Sequence, residues 1–184
     1  MSPRFAALLI GWILGCGAVC HAQKPEARPA PAPTPNPQEK REEAIIVLER
    51  TTDYFGVTPA YLLIIYPDGS VAFIGDKNVK TKGLAMGRIS QQDLRRLIEE
   101  FDKINYFSLR DRYEKPEDGC EMVVEDAGSA YVWYRLGDRR KSVHHHLGCS
   151  KVPSKHSGFE TIPRELYNLE YLIDAVVNSN QWVK

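Results

Sequence analysis

Four short apolar runs, separated by turn signals, predict four β-strands in the middle of the chain. Ala44 to Glu49 is the first run, and Tyr61 to Tyr66 is the second. Pro67-Asp68-Gly69 then predicts a tight turn, because proline presets φ and glycine accepts a positive φ. Val71 to Ile74 returns antiparallel, and a fourth strand is expected between Lys77 and Ile89. Since the second run is apolar on both faces, we expect a central strand that is covered on both sides.

A helical spacing of apolar residues begins after Ile89. Ser90, with Asp93 three residues later, predicts a capped helix start. The apolar stripe that follows should end near Asn105 and contains Leu94, Leu97, Ile98, Phe101 and Ile104. This spacing predicts one amphipathic helix that buries a single face.

A second hairpin and a last helix complete the pattern. Ser129 to Leu136 and Lys141 to Leu147 should pair around Gly137-Asp138. Pro163 opens the last helix, and Trp182 should pack back onto the domain. The element order β-β-β-β-α-β-β-α predicts an α+β fold with a largely antiparallel sheet and two helices packed on it.

Residues 1–22 have the order of a secretory signal peptide. Arg4 precedes a short apolar run, and small residues precede a cleavage site after Ala22. We therefore expect an exported protein, periplasmic or extracellular. Two alternatives stay open at this point: an uncut membrane anchor, and a lipoprotein in which Cys16 of Ile13-Leu14-Gly15-Cys16 is lipidated and anchors the chain to the envelope.

Residues 23–40 are rich in proline and alanine. Six of the chain's 12 prolines lie between Lys24 and Gln38, and no large apolar residue interrupts them. Such a segment cannot bury a core and favours extended polyproline geometry. The segment would serve either as a tether that holds the domain away from a surface or as a leader that has no spacing role. Residues 41–184 then form a single α+β domain.

Composition excludes several classes of protein. In 184 residues, 24 basic side chains balance 24 acidic ones, and 43% of the residues are hydrophobic. These values exclude a disordered or multi-span membrane protein. A net charge of zero argues against a nucleic-acid partner. We find no phosphate-binding glycine loop and no Ser-His-Asp motif, so the sequence favours a non-enzymatic role.

Cys120 and Cys149 are the two cysteines that remain after cleavage behind Ala22. In an oxidising compartment we expect them to form a disulfide. A redox or metal-binding pair is the alternative. Lipidation of Cys16 would instead leave Cys20 as an odd thiol.

Three histidines suggest a metal site as a second hypothesis. His144 and His146 share one face of a predicted strand, and His156 follows closely. A His-x-His pair can bind zinc or copper, although a catalytic zinc needs a third protein ligand from His156 or a free Cys149. The plain alternative is a pair of surface histidines without a cofactor, with His145 on the other strand face, turned inward and satisfied by hydrogen bonds.

Tyr131, Trp133 and Arg135 alternate onto one face of a predicted strand. Exposed aromatic rings there would present a ligand-binding surface to a sugar or a partner protein. The alternative is that helices cover both faces of the sheet.

The chain resembles a bacterial exported family of unknown function, the one numbered 6438 among such domains. The resemblance covers roughly Ala44 to Lys184. Its motifs are Arg50-Thr51, Phe55-Gly56-Val57-Thr58-Pro59-Ala60-Tyr61, Tyr66-Pro67-Asp68-Gly69, Gly75, Gly83, Ile89-Ser90, Phe107, Leu109, Tyr113, Val143-His144-His145-His146-Leu147-Gly148-Cys149, Leu166, Leu169, Ile173-Asp174 and Trp182.

The resemblance has one departure and implies little about activity. Many members look like Cys-Phe-Gly-x-Cys-Pro in the first motif, where this chain has Tyr54 and Thr58 in place of the two cysteines. Gly148-Cys149, with Cys120 upstream, supports a structural pair of cysteines. The family implies no known substrate or cofactor.

Together these patterns predict an exported, non-enzymatic binding or envelope-associated module on a proline-rich tether. Its partner would be an unknown protein or a component of the cell envelope. Membrane contact would come only through an uncut signal or lipidation, and the oligomeric state stays open. The alternative function is a metal- or redox-linked periplasmic protein that uses the His144-His146 and Cys149 region.

Overall fold

Ten β-strands and three α-helices make up the part of the chain that the structure, a computed structural model, describes: residues 44–152, 158 and 160–184. The strands of the large sheet are β1 (Ile46–Arg50), β2 (Ala60–Ile65), β3 (Ser70–Lys77), β4 (Gly83–Arg88), β5 (Arg112–Tyr113), β7 (Ser129–Leu136) and β8 (Arg139–His146). The strands of the small sheet are β6 (Met122–Val123), β9 (Cys149–Lys151) and β10 (Glu160–Thr161). The helices are α1 (Gln91–Lys103), α2 (Arg164–Val177) and α3 (Asn180–Val183).

The large sheet has the strand order β4-β3-β2-β1-β7-β8-β5, and the small sheet has the order β10-β9-β6. Neighbouring strands are antiparallel except for the short β5, which runs parallel to β8. In the centre, Leu48 lies opposite Leu63 on one side and Val132 on the other. The predicted α+β class and its largely antiparallel sheet are confirmed.

Helix α1 begins and ends as its sequence predicts. The backbone N–H of Asp93 donates to Ser90 Oγ at 3.0 Å, which satisfies one of the free donors of the first turn. At the other end, Asn105 has a φ of 50°, so the chain leaves the helix there. Leu94, Leu97 and Phe101 are buried in the main core, as expected for a single apolar stripe.

Aromatic rings join the helices to the sheet. Phe101 of α1 stacks on Tyr134 of β7 with ring centroids 4.0 Å apart. The Tyr106 hydroxyl donates to the Val132 carbonyl at 2.6 Å, so this buried phenol is satisfied. Trp182 stacks on Phe73 at 5.0 Å, which confirms that the end of the chain packs back.

Strand β2 is buried on both faces, as expected: Leu63 and Ile65 are fully buried on one face, and Ile64 is only 5% exposed on the other. Strand β2 is central, but α1 and α2 contribute to the core on one face only. The other face carries a second, smaller apolar cluster to which no described helix residue contributes: Ala44, Val47, Leu62, Ile64, Tyr66, Ala72 and Trp133. Each of the two long helices has a single apolar stripe, and both stripes pack against the same face of the large sheet.

The loop expected after α1 contains more structure than its polar sequence indicates. Two 3-10 helices, Tyr106–Ser108 and Pro116–Asp118, alternate there with the two-residue strands β5 and β6. Such short strands carry too few residues for an alternating pattern to show. Strand β8 also begins earlier than expected, at Arg139.

The described residues belong to one compact unit, Pro35–Lys184. Within them, no helix is long and apolar enough to cross a membrane. The predicted cleavage after Ala22, the lipidation alternative at Cys16 and the proline-rich segment lie outside the described residues.

Candidate functional site

Five side chains from four elements form a buried ionic cluster at one end of the large sheet: Arg50, Tyr61, His145, Glu170 and Asp174. Arg50 is the last residue of β1 and lies opposite Tyr61 in the strand register. Glu170 and Asp174 are four residues apart, so both project from the same face of α2. His145 and Val143 are two residues apart and share the inner face of β8, where both are fully buried.

Short contacts hold the cluster together. Arg50 Nε donates to Asp174 Oδ2 at 2.9 Å, and the Tyr61 hydroxyl donates to Asp174 Oδ1 at 2.7 Å. Arg50 Nη1 lies 3.7 Å from Glu170 Oε2. His145 Nδ1 lies 2.7 Å from Glu170 Oε1, and both of these side chains have no exposed surface. Every charged member therefore has an ionic partner, which a buried charge requires, although Arg50 Nη2, Glu170 Oε2 and His145 Nε2 make no hydrogen bond.

The electrostatics keep Arg50 charged and Tyr61 protonated. Burial lowers the pKa of Arg50, but the carboxylates of Asp174 and Glu170 outweigh it and raise that pKa above its ordinary value. Burial, with the charge of Asp174, raises the pKa of the Tyr61 phenol. Tyr61 thus stays a hydrogen-bond donor at neutral pH.

A cavity of about 650 Å³ lies against this cluster, and we call it the Arg50 cavity. Arg50, Tyr61 and Asp174 contribute to its wall. The other polar lining residues include two threonines, two asparagines and a tyrosine: Thr51, Thr58, Asn178, Asn180 and Tyr171. The ring of Tyr171 lies 5.1 Å from the Arg50 guanidinium carbon and borders a further cavity of about 520 Å³. The site is thus a concave surface with convergent polar groups.

The predicted aromatic surface lies elsewhere. Tyr131, Trp133 and Arg135 face away from the helices, on the opposite face from buried Val132 and Tyr134. Among the described residues, no helix contributes to the cluster on this face: Tyr131 is 37% exposed, while Trp133 is partly buried against the smaller apolar cluster.

Tyr131 does meet one of the predicted histidines. Its ring stacks on His144 with centroids 4.1 Å apart, and His144 Nδ1 contacts a carboxylate oxygen of Glu114. Burial lowers the pKa of His144, while Glu114 acts against that shift. Burial, with the charges of Glu114 and Glu49, raises the pKa of Tyr131.

The structure does not assemble the predicted metal ligands among the residues that it describes. His146 Nδ1 accepts a hydrogen bond from the Gly148 N–H at 3.1 Å, and His144 is occupied by Glu114. His156 lies outside the described residues. No group of three or more histidine, cysteine or acidic side chains forms in the described ranges, and zinc or copper binding stays a prediction.

The predicted cysteine pair is confirmed as a disulfide between Cys120 and Cys149. Both cysteines are buried, and the bond joins the segment before β6 to β9. Cys149 is thus not a free thiol in this structure.

Sequence reasoning predicted the inward, hydrogen-bonded position of His145 but missed the other members of the ionic cluster. One signal could have indicated it, because Glu170 lies within the buried stripe of α2, among Leu166, Leu169, Ile173 and Val177. A carboxylate at such a position needs a buried partner. The sequence does not show which partner it finds, since Arg50 is 120 positions away in the chain.

The fold and site define a class of α+β domain: a large, mostly antiparallel sheet with helices on one face and an ionic cluster beside a cavity. The chain belongs to the family described as domain of unknown function (DUF6438), whose model matches residues 45–177. A comparison with curated proteins found no match. Residues that carried the resemblance meet at the Arg50 cavity from two distant parts of the chain: Arg50, Thr51, Thr58 and Tyr61 from the first motif, and Asp174 from the last helix.

Proposed function

We propose that this chain is an exported, non-enzymatic binding module that takes a small, uncharged, polar ligand in the Arg50 cavity. The observation that carries the proposal is the pairing of Arg50 with Asp174 at the cavity wall. This pair is held by the strand register and by α2, so the wall is formed before any ligand arrives. Such preorganisation lowers the cost of binding.

The polar lining favours an uncharged ligand. Arg50 and Asp174 neutralise each other, and Lys184 is the one further charged residue among the described lining residues, whereas Thr51, Thr58 and Asn178 offer hydroxyl and amide groups. An amide side chain both donates and accepts, and a hydroxyl does the same. A ligand rich in hydroxyl or amide groups, such as a neutral sugar or a blocked dipeptide, matches this lining.

A binding role fits the cluster better than catalysis does. Both oxygens of Asp174 already accept hydrogen bonds, and Glu170 is fully buried against His145. Among the described residues that line the Arg50 cavity, there is no histidine or cysteine. A general base must reach its substrate, and these carboxylates are engaged in holding the wall.

Thermal unfolding of the purified chain tests the proposal. The probes are neutral monosaccharides, N-acetylated sugars and blocked dipeptides, with succinate and inorganic phosphate as charged comparisons. A ligand at one hundred times its Kd would stabilise the chain by about 2.7 kcal/mol. An Ala175→Trp variant, which fills the cavity from α2, should lose the shift. A Glu165→Trp variant on the same helix, outside the cavity lining, should keep it. If a probe raised the unfolding temperature equally in both variants, the Arg50 cavity would be refuted as its binding site.

The exported, tethered form is part of the same proposal. The order of residues 1–22 and the proline-rich segment 23–40 support it. Amino-terminal sequencing of the protein from the periplasm or medium should begin at Gln23. Incorporation of radiolabelled palmitate would instead support lipidation at Cys16.

A metal-linked role is the second candidate, and it rests on the spacing of His144 and His146 on β8. Calorimetric titration with zinc or copper tests it directly. Binding at micromolar concentration that a His146→Ala variant abolishes would support this role, and absence of heat would remove it.

A further inference from the structure

The turn between β1 and β2 presents three apolar side chains to solvent. Tyr54, Phe55 and Val57 are 81%, 71% and 68% exposed. With Gly56 they form what we call the apolar tip. The Tyr54 and Phe55 rings lie edge to face at 5.5 Å, so they form one surface. Large apolar side chains that are grouped and exposed mark interaction sites, whereas scattered ones do not.

Hydrogen bonds hold the apolar tip in one conformation. The Asp53 N–H donates to Thr58 Oγ1 at 2.7 Å, and Asp53 Oδ1 accepts from the Val57 N–H at 2.7 Å. The Gly56 N–H donates to the Asp53 carbonyl at 3.0 Å. The exposure is thus a built feature of a braced turn.

Lysines lie on the hairpin that braces the tip. Asn78 Nδ2 donates to the Gly56 and Thr58 carbonyls at 2.5 and 3.0 Å, which attaches the β3–β4 hairpin to the turn. This hairpin carries the exposed residues Lys77, Lys80 and Lys82. Asp76 is the acidic residue on the same stretch of the hairpin, so the three lysines leave that stretch with a positive charge. The acidic residues near the turn itself are Asp53, which is engaged within the turn, and Glu125 and Asp126 of the segment that the turn contacts.

We propose that the apolar tip inserts into the headgroup region of a lipid bilayer while the hairpin lysines contact anionic headgroups. The three tip side chains are the most exposed large apolar residues of the part of the chain that the structure describes, and a bilayer surface accepts exposed groups without a matching pocket. Tyrosine and phenylalanine suit this interface, because apolar rings enter the acyl boundary while the phenol stays hydrated. Lysine beside an apolar surface is the pattern of interfacial binding.

The inserting side chains Tyr54, Phe55 and Val57 do not line the Arg50 cavity, although Thr58, which braces the turn, does. The proposed contact adds a membrane contact within the domain to any contact through the signal or a lipid. A failure here therefore leaves the cavity proposal untouched. It also gives the envelope a defined point of attachment on the folded domain.

Depth-dependent fluorescence quenching tests the insertion in the full chain. The probe is a vesicle of equal parts phosphatidylglycerol and phosphatidylcholine with brominated acyl chains. Tyr54→Trp should be quenched beyond the background of the native tryptophans. The matched control is Leu136→Trp at the end of β7, at a residue that is 39% exposed and lies outside both the apolar tip and the lysine-bearing hairpin. Quenching of Tyr54→Trp alone supports the proposal, and equal quenching of both variants, or of neither, overturns it.

Charge variants test the lysines. Lys80→Glu with Lys82→Glu should weaken binding to these vesicles by at least about fivefold per lysine, from roughly 1 kcal/mol for each basic residue near an anionic surface. Lys103→Glu, on α1 and 72% exposed, is the control and should leave binding unchanged. If Tyr54→Trp does not fold, Val57→Trp replaces it. Capture of a protein through the tip without any lipid quenching would overturn the bilayer as the partner.

Discussion

Replacing Arg50 with methionine should destabilise the domain more than any surface charge change. The variant keeps much of the side-chain length but removes the guanidinium that pairs with Asp174 at 2.9 Å and Glu170 at 3.7 Å. Glu170 has no exposed surface, and Asp174 is 15% exposed. Removing one partner of a buried pair leaves an uncompensated charge and costs about 3–5 kcal/mol. The Tyr61–Asp174 bond would remain and offset part of this loss.

Urea unfolding followed by circular dichroism measures the effect. The matched control is Arg88→Met, because Arg88 and Asp68 are 67% and 62% exposed and lie 3.5 Å apart. An exposed pair contributes about 0–1 kcal/mol, so this variant should unfold close to the wild type. Equal midpoints for Arg50→Met and Arg88→Met would refute the view that the cluster is a buried, coupled unit.

Three further predictions concern other parts of the fold. Replacing Cys120 and Cys149 with serine should lower the free energy of unfolding by about 3–4 kcal/mol in the chain-entropy model, read from the urea midpoint. Ser90→Ala should cost about 1 kcal/mol through loss of the helix cap, whereas Ser90→Asp should cost much less. Burial raises the pKa of Tyr106 and raises that of Tyr134 to about 12. Their folded pKa values exceed the unfolded value of about 10, so keeping these two phenols protonated contributes to the free energy of unfolding. That contribution is complete below pH 10 and is lost as the pH rises further. A urea midpoint that stays constant from pH 9 to about 12 would contradict this.

Local patterns predicted the regular elements well. The Ser90–Asp93 cap, the apolar stripe of α1 and the β2–β3 turn were all legible, because each depends on residues a few positions apart. Strand β7 has the bounds that its alternation predicts. Strands β5 and β6 were not legible, since two residues are too few to show a period.

The candidate site was legible only in part. The resemblance contained Arg50, Tyr61 and Asp174, but no spacing indicates that an arginine and a carboxylate 124 positions apart share a hydrogen bond. The aromatic residues of β7 were placed correctly on one strand face. Which face the helices cover was not predictable, because both faces of the central strands are apolar.

By itself the sequence determined the fold class, the main strands and helices, the cysteine pair and the motifs of the family. These follow from backbone preferences, from hydrogen bonds within a turn or two, and from the count of cysteines. Only the tertiary structure decided the strand order β4-β3-β2-β1-β7-β8-β5, the face on which α1 and α2 pack, and the meeting of Arg50 with Glu170 and Asp174. These features depend on which distant surfaces bury one another best, and that competition involves the whole domain at once.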